Sequence, residues 1–334
     1  MMHQYIERES GRIRTEVFFG ESLVKFLYGP VRENAPALFD ILTSARISSF
    51  LGFLNYDVFL GQRINRRFFQ DLGIDLSECL DPPHTLDTPR KVFERKIRYW
   101  ELRPLAHGQD SILSPADAKA FVGSLRKSSS LFVKGKFFDL AELLGEERGG
   151  WVPAFQDGDF AVFRLTPEKY HYNHVPVSGK VLDIYEIPGR YHSCHPEAVL
   201  SIPTPYSKNK RVVTILDTDL PGGTGVGLVA MVEIVALMIG GIEQCYSEER
   251  YDYPQPITRG LFLRAGCPKS LFRPGSSTVI LLFQKDRVIF EEDILRNQNT
   301  VNVESRYSLG LGRPVVETEV RVRSAVARAR KVRS

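Results

Sequence analysis

Phe272-Arg273-Pro274-Gly275-Ser276-Ser277-Thr278 runs directly into Val279-Ile280-Leu281-Leu282-Phe283, and the reading of that stretch decides the rest. As structure, Pro-Gly supplies a turn, and Thr-Val-Ile-Leu-Leu-Phe is β-branched and apolar enough for a buried strand. As chemistry, a strained Gly-Ser bond is open to attack by its own serine hydroxyl. The amide becomes an ester, β-elimination cuts the chain, and the serine remnant hydrolyses to a pyruvoyl group. Glycine suits the position before the cut because its missing Cβ admits strained backbone angles. These residues alone support both readings, so the remainder of the chain has to choose.

A chain of 334 residues, 43% hydrophobic and 25% charged, makes one large or two modest domains with a real core. The net charge of +4 is too small to argue for nucleic acid. From Arg321 to Arg333 the tail carries Arg321, Arg323, Arg328, Arg330, Lys331 and Arg333 and no acid. That composition predicts a frayed, solvated end, or contact with an anionic surface. Cys79, Cys194, Cys245 and Cys267 stand far apart, which fits a reducing compartment rather than a disulfide framework. The first ten residues lack a signal-peptide layout. The apolar run Val226 to Ile242 is short for a membrane span and is interrupted by Glu233, so no transmembrane segment is expected.

In order, the pattern predicts an α+β protein. A helical N-terminal region (residues 1–105), suited to membrane docking, precedes a mostly antiparallel β sandwich or barrel-like catalytic domain (residues 106–334). Residues 1–15 read as a polar lead with at most one strand. A helix from Glu21 places Leu23, Phe26 and Leu27 together and stops at Gly29-Pro30; a second, near Pro36, groups Leu38, Ile41, Leu42 and Ala45. Phe50, Leu51, Phe53 and Leu54 prolong it, and a third helix spans Ile64 to Leu72 with arginines beside Phe68 and Phe69. A bundle packed on the main domain and a lipid-facing surface both fit this pattern. Thr88 and Pro89 then open a basic helix, Arg90 to Leu102. Beyond His107 come short β-rich runs: Ser130–Lys134, Phe160–Leu165, Lys180–Ile187, Arg211–Asp217, Val226–Ile239, Thr278–Phe283 and Val288–Phe290, with one helix at Asp139–Leu144. Gly222-Gly223-Thr224-Gly225 lacks the context of a nucleotide loop and reads as a turn between strands.

Two histidine pairs, His171-x-x-His174 and His192-x-x-His195 with Cys194 inside, invite a zinc reading. They lack the Cys-x-x-Cys or helical His-x-x-x-His spacing of such sites, and no metal is assigned. Asp117, in Ser114-Pro115-Ala116-Asp117-Ala118, is either a turn aspartate or the carboxylate that orients a histidine, which in turn activates a serine.

Five features occur in one order: Ser114-Pro115-Ala116-Asp117; Val133-Lys134-Gly135 followed by Leu143-Leu144-Gly145; Tyr170 through Gly179; Asn209-Lys210-Arg211; and Phe272 to Phe283. Together they resemble the phosphatidylserine decarboxylase family of pyruvoyl-dependent enzymes, and Phe93-Glu94-Arg95 through Arg103-Pro104 resembles that family's Phe-Phe-x-Arg…Arg-Pro segment. The likeness covers roughly residues 90–290. It implies that Ser276, after Gly275, becomes the pyruvoyl group, that Asp117 and His174 serve the serine in self-cleavage, and that His171 acts in decarboxylation. It also implies a phospholipid substrate carrying a serine or related aminoacyl headgroup, and a peripheral enzyme on the cytoplasmic side of an anionic membrane, able to pair as a homodimer.

The departures bear on the site. Gly-Ser-Ser-Thr stands where the family has Gly-Ser-Thr. Aligned from Phe272 the nucleophile is Ser276; aligned back from Val279 it is Ser277. Ala118 replaces a glycine, and Lys169 and Tyr172 replace an Asp and an Arg around Tyr-His. A decarboxylase of a soluble amino acid, a non-cleaving membrane-surface relative and a zinc hydrolase using the two histidine pairs are the alternatives. No diffusible cofactor is called for, because a pyruvoyl ketone itself condenses with an amine and accepts electrons as carbon dioxide leaves.

Overall fold

The computed structural model describes residues 2–18, 20–44, 47–48, 73–126, 136–145, 150–237, 241–274 and 277–330. In chain order the strands are β1 (Gln4–Glu7), β2 (Ile13–Thr15), β3 (Ser111–Leu113), β4 (Ala118–Ser124), β5 (Asp159–Leu165), β6 (Tyr172–His174), β7 (Gly179–Ile187) and β8 (Arg211–Asp217). They continue as β9 (Leu228–Ile234), β10 (Ile242–Gln244), β11 (Phe262–Leu263), β12 (Pro268–Phe272), β13 (Ser277–Phe283), β14 (Val288–Phe290), β15 (Glu317–Val320) and β16 (Ala325–Ala329).

Strand β13 lies near the middle of a ten-stranded sheet ordered β11-β7-β8-β9-β13-β5-β4-β15-β1-β2. It runs antiparallel to β5 without a break from Ser277↔Leu165 to Phe283↔Asp159, and to β9 from Thr278↔Ile234 to Phe283↔Val229. All seven of its residues are buried. Val279, Leu281 and Phe283 join one core cluster with Phe163 and Met231, while Ile280 and Leu282 join another with Phe160, Val213 and Val232. Burial on both faces explains an unbroken apolar run in place of in-out alternation. Its five large side chains contribute at most roughly 8–15 kcal/mol, a hold independent of the peptide bond before Ser277.

Helices cover one face through Leu143, Phe155, Val199 and Tyr307. Two three-stranded sheets, β10-β12-β6 and β14-β16-β3, cover the other through Phe272, Val326 and Ala327. The large sheet has free edges at β11 and β2, so the architecture is an α+β sandwich and not a closed barrel. The pair β1 and β15 is parallel, against the antiparallel rule elsewhere. The polar lead is thus two strands of the main sheet, and that sheet draws on both sides of the division expected at residue 105.

The expected strands Phe160–Leu165, Lys180–Ile187, Arg211–Asp217, Thr278–Phe283 and Val288–Phe290 are present to within a residue, and Val226–Ile239 shortens to β9. The helix at Asp139 is capped by that side chain, which accepts from Glu142 N–H. Several expectations are corrected. Gly29-Pro30 does not stop the first helix, which passes through a π turn, Leu27–Val31, into Arg32–Asn34. Its buried stripe is Val24, Leu27, Tyr28 and Val31, while Leu23 and Phe26 are exposed. The basic helix is two short ones, Pro89–Phe93 and Tyr99–Leu102, parted by a bridge between Ile97 and Cys79. Its cations do not present a free basic face: Arg90 pairs with Glu94, Lys91 with Asp87 and Arg98 with Glu101, and Arg95 and Arg103 are buried. As far as Arg330 the tail is not frayed, since β16 pairs with β14 and β3, and Arg323 stacks on Tyr99; the rest of it lies outside the described residues. The third helix, Phe50–Leu54 and Ser130–Lys134 lie outside the described residues.

Candidate active site

The register gathers the candidate residues at one end of the large sheet. Ser277 is level with Leu165 on β5, and Lys119↔Arg164 on the next pair sets Ala118 level with Leu165 in turn. Asp117 therefore begins β4 two strand spacings, about 10 Å, from the start of β13. Strand β6 lies over this face: Asn173 reaches Glu233 on β9, and His174 N–H donates to the Pro115 carbonyl at 2.7 Å. Gly275 and Ser276 fall outside the described residues. Ser277 is fully buried, and its Oγ has no hydrogen-bond partner among the described residues.

Asp117 accepts from Arg103 at 2.8, 3.1 and 3.2 Å and from Val322 N–H at 2.8 Å. Arg103 also grips Glu78 at 2.9 and 3.1 Å. Burial by itself would raise the Asp117 carboxyl, but the Arg103 guanidinium outweighs it and holds the group below the usual carboxylate range. A mixed-charge cavity of about 240 Å³ opens beside this pair, lined also by Arg95, Glu168, Lys169 and Tyr170.

The two histidines face opposite ways from one short strand. His174 Nδ1 lies 2.9 Å from the Gly266 carbonyl, which can only accept, so Nδ1 carries the proton and Nε2 accepts from the Tyr170 hydroxyl at 3.0 Å. The Tyr170 hydroxyl accepts from that of Tyr251 at 2.7 Å, and the Tyr251 hydroxyl in turn accepts from Ile97 N–H at 3.1 Å. Burial pushes the His174 pKa down to about 3, so the ring is neutral at physiological pH. His171 has Nδ1 2.7 Å from the Lys169 carbonyl, which leaves Nε2 as the acceptor of the neutral ring. Phe93 lies against it, with ring centroids 3.6 Å apart.

One expectation fails here. Among the described residues the Asp117 carboxylate does not hydrogen-bond His174; the two meet through the backbone, because Arg103 and Val322 occupy the carboxylate. The orienters of His174 are Gly266 and Tyr170, and neither they nor Tyr251 stood out in the sequence. Tyr170 had a signal in its place beside His171, whereas Tyr251 comes from 81 residues away with none.

The second histidine pair serves packing. His195 caps helix Pro196–Ser201 by accepting from Glu197 N–H, and His192 stacks on Phe39. His3, Glu16 and Glu317 are the only group of three metal-capable side chains brought together among the described residues. Arg164 binds both carboxylates there (2.5–2.9 Å) and Lys119 reaches Glu16 at 2.9 Å, so protein cations occupy the place. This network ties the N-terminal strands to β15.

Fold and site together define a class: a layered α+β protein with a guanidinium-held aspartate, two histidines held at Nδ1 by backbone carbonyls and a serine-led buried strand at one sheet end. The family model described as phosphatidylserine decarboxylase matches residues 90–308. The chain is 31% identical over 309 residues to a phosphatidylserine decarboxylase proenzyme of Fusobacterium nucleatum, covering 92% of this chain and 95% of that one. It is 30% identical over 312 residues to the proenzyme of Chlamydia trachomatis, with the same coverage, and 32% identical over 249 residues to that of Photobacterium profundum, covering 71% and 82%. The chain belongs to the phosphatidylserine decarboxylase family.

Proposed function

We propose that this chain is a self-processing carboxy-lyase that takes the carboxylate from phosphatidylserine, releasing carbon dioxide and leaving phosphatidylethanolamine. Family membership over most of the chain supports the reaction, and the observation that carries the site is β13. It begins one residue after the expected cut between Gly275 and Ser276 and is anchored on both faces, so breaking that bond leaves the new terminus beside a held strand. The pyruvoyl group, once formed from the serine, supplies a carbonyl for the substrate amine and an electron sink for decarboxylation.

The protein groups divide the remaining work. His171, held at Nδ1 by the Lys169 carbonyl, presents Nε2 to hold or deliver a proton at the substrate α-carbon. His174, kept neutral and held at Nδ1 by the Gly266 carbonyl, takes the serine hydroxyl proton during processing at Nε2, giving up there the hydrogen bond it accepts from Tyr170. Asp117 acts through Arg103 and the β4 loop, fixing the strand end on which His174 rests. Tyr99, Tyr170, Tyr172 and Tyr251 pack as one cluster and limit water around these groups.

Aligned from Phe272, the cut precedes Ser276. A second reading, a cut before Ser277, is favoured by one observation: the strand register reaches Ser277 unbroken, and its buried Oγ lacks a partner among the described residues. Intact mass under denaturing conditions tests both. Two polypeptides are expected, the smaller beginning with pyruvoyl at 276 or 277, and alanine at the true site should leave one uncut, inactive chain. A wild-type chain that stays at full mass after incubation with lipid would sink the decarboxylase reading. Carbon dioxide release from phosphatidylserine against free serine separates lipid from soluble substrate.

The enzyme acts as a peripheral protein at the cytoplasmic face of a membrane. Supporting this, no helix among the described residues is long and apolar enough to cross one, and Leu23, Phe26, Leu38 and Ile41 are exposed. Sedimentation of the purified protein tests whether two copies pair.

A further inference from the structure

The described cations of the region around residues 90–103 are ion-paired, buried or, for Lys96, set over the Tyr251 ring, yet a different part of the molecule gathers charge. A groove of about 600 Å³ is lined by Arg32, Arg190, Lys208 and Arg211 with Asp40 and Glu142. Its two carboxylates do not neutralise the four cations. Arg211 is buried and spends its guanidinium on the carbonyls of Leu143, Asn209 and Glu142 at 2.5–2.8 Å. Arg32 donates to the Ser201 carbonyl and stands 3.9 Å from the Glu33 carboxylate, and Lys208 has no carboxylate within 4 Å among the described residues. Arg190 donates to the Asp40 carbonyl at 2.8 Å but stands 3.7 Å from its carboxylate, and Glu142 accepts from the Thr204 hydroxyl.

A second observation comes from His192 in the groove wall. It is 6% exposed, and its Nδ1 has no partner among the described residues. Burial, then the positive fields of Lys208 and Arg190, push its pKa down to about 4. The ring therefore offers a neutral hydrogen-bonding group in a cationic surround. The rim is apolar: helix Pro36–Leu42, which lines the groove with Phe39 and Asp40, exposes Leu38 and Ile41 by 47% and 54%. Register locates the groove relative to the cut. Arg211 is level with Ile234, and Ile234 with Thr278, so Arg211 and the start of β13 are two strand spacings apart, about 10 Å.

We propose that this groove seats the phosphate headgroup of an anionic bilayer lipid while Leu38 and Ile41 enter the apolar layer, docking the enzyme with its cut end toward the membrane. Loosely paired cations around a cavity large enough for a phosphate, beside apolar side chains exposed on its rim, match the two halves of a phospholipid. The inference builds on the interfacial part of the proposed function and is independent of the cut, because binding requires neither processing nor turnover.

Vesicle flotation of the full chain at 0.1 M salt tests it, with phosphatidylglycerol-containing and pure phosphatidylcholine vesicles. Each cation near an anionic surface contributes roughly fivefold in partitioning, so Arg190→Ala/Lys208→Ala should lose roughly 25-fold on phosphatidylglycerol vesicles and little on phosphatidylcholine. Leu38→Asn/Ile41→Asn should weaken both. Arg12→Ala/Arg14→Ala, removing the same charge at the β2 edge of the sheet, should leave binding within about twofold. Equal loss from that control would mean that only net charge matters, and parent-like binding by the groove variant would overturn the site. Displacement by millimolar inorganic phosphate at matched ionic strength would reassign the groove to a free anion and overturn the docking role. A parent that binds vesicles but never cuts would keep this inference and defeat the decarboxylase reading instead.

Discussion

Lys269→Met should be among the most damaging substitutions outside the catalytic groups. Lys269 and Glu233 are both fully buried, with Nζ 2.7 Å from the carboxylate. Glu233, on β9, also accepts from Gln244 at 2.9 Å, from Asn173 at 3.2 Å and from the Ser270 hydroxyl. These partners come from β10, β6 and β12, so one carboxylate ties every strand of a small sheet to the large one. Without Lys269 the charge keeps its neutral donors but loses its counter-ion. Breaking one side of a buried pair costs about 3–5 kcal/mol, a large part of the roughly 5–15 kcal/mol that holds a typical domain. At roughly 2–4 °C per kcal/mol, and somewhat less in a chain of this size, Tm should fall by about 5–15 °C. Glu233→Leu should cost a similar amount, since it strands an ammonium. The double variant Glu233→Leu/Lys269→Met should recover most of the loss, because desolvation of both charges disappears along with their attraction. Thermal and urea unfolding of the four proteins, in an uncleavable Ser276→Ala/Ser277→Ala background, gives the coupling directly. A double variant that costs the sum of the two singles would refute the reasoning.

Removing residues 322–334 deletes the Val322 N–H that holds Asp117 and the Arg323 contact with Tyr99; the shortened chain should remain uncut by intact mass even where it stays folded by circular dichroism. His174→Ala should block the cut, whereas His171→Ala should still cut and lose about 100-fold or more in carbon dioxide release; two variants that process and turn over like the parent would show the roles misassigned. Stability should begin to fall below about pH 6.5. Burial holds His174, His192 and His195 near 3, 4 and 3, so between those values and the ordinary histidine pKa the unfolded chain binds protons that the folded one does not, and acid favours unfolding. A further drop should come below about pH 4, where Asp117 and Glu317, both held low by arginines after burial is offset, take up protons. Tm measured from pH 8 to 3 checks both limbs, and a flat profile between 6.5 and 5 would contradict the buried neutral histidines.

Local physics was legible in the residues. Thr278–Phe283 could only be a doubly buried strand, because five consecutive large apolar side chains have no solvent-facing member. Thr88 announced a helix start through its capping oxygen. The order of Asp117, the histidine pair and the Gly-Ser-Ser stretch pointed to the family before any coordinate was known. Other features resisted reading. Periodicity grouped Leu23 with Phe26 as an apolar face but could not say what that face meets, and the protein buries Val24, Leu27 and Tyr28 instead.

By itself, then, the sequence determined the strands that are apolar throughout, the Thr88 cap, and the set of residues able to do chemistry. These depend on neighbours a few positions apart. Tertiary structure alone decided that Arg103 and Val322, rather than His174, hold Asp117, that Tyr251 backs Tyr170, and that the arginine-rich tail is a paired strand. It also decided that Arg190 and Lys208 face an open groove while Arg95 and Arg103 are buried. A cation's role depends on which carboxylate, carbonyl or open space meets it after folding, and those partners lie tens to hundreds of residues away. No short-range pattern records them.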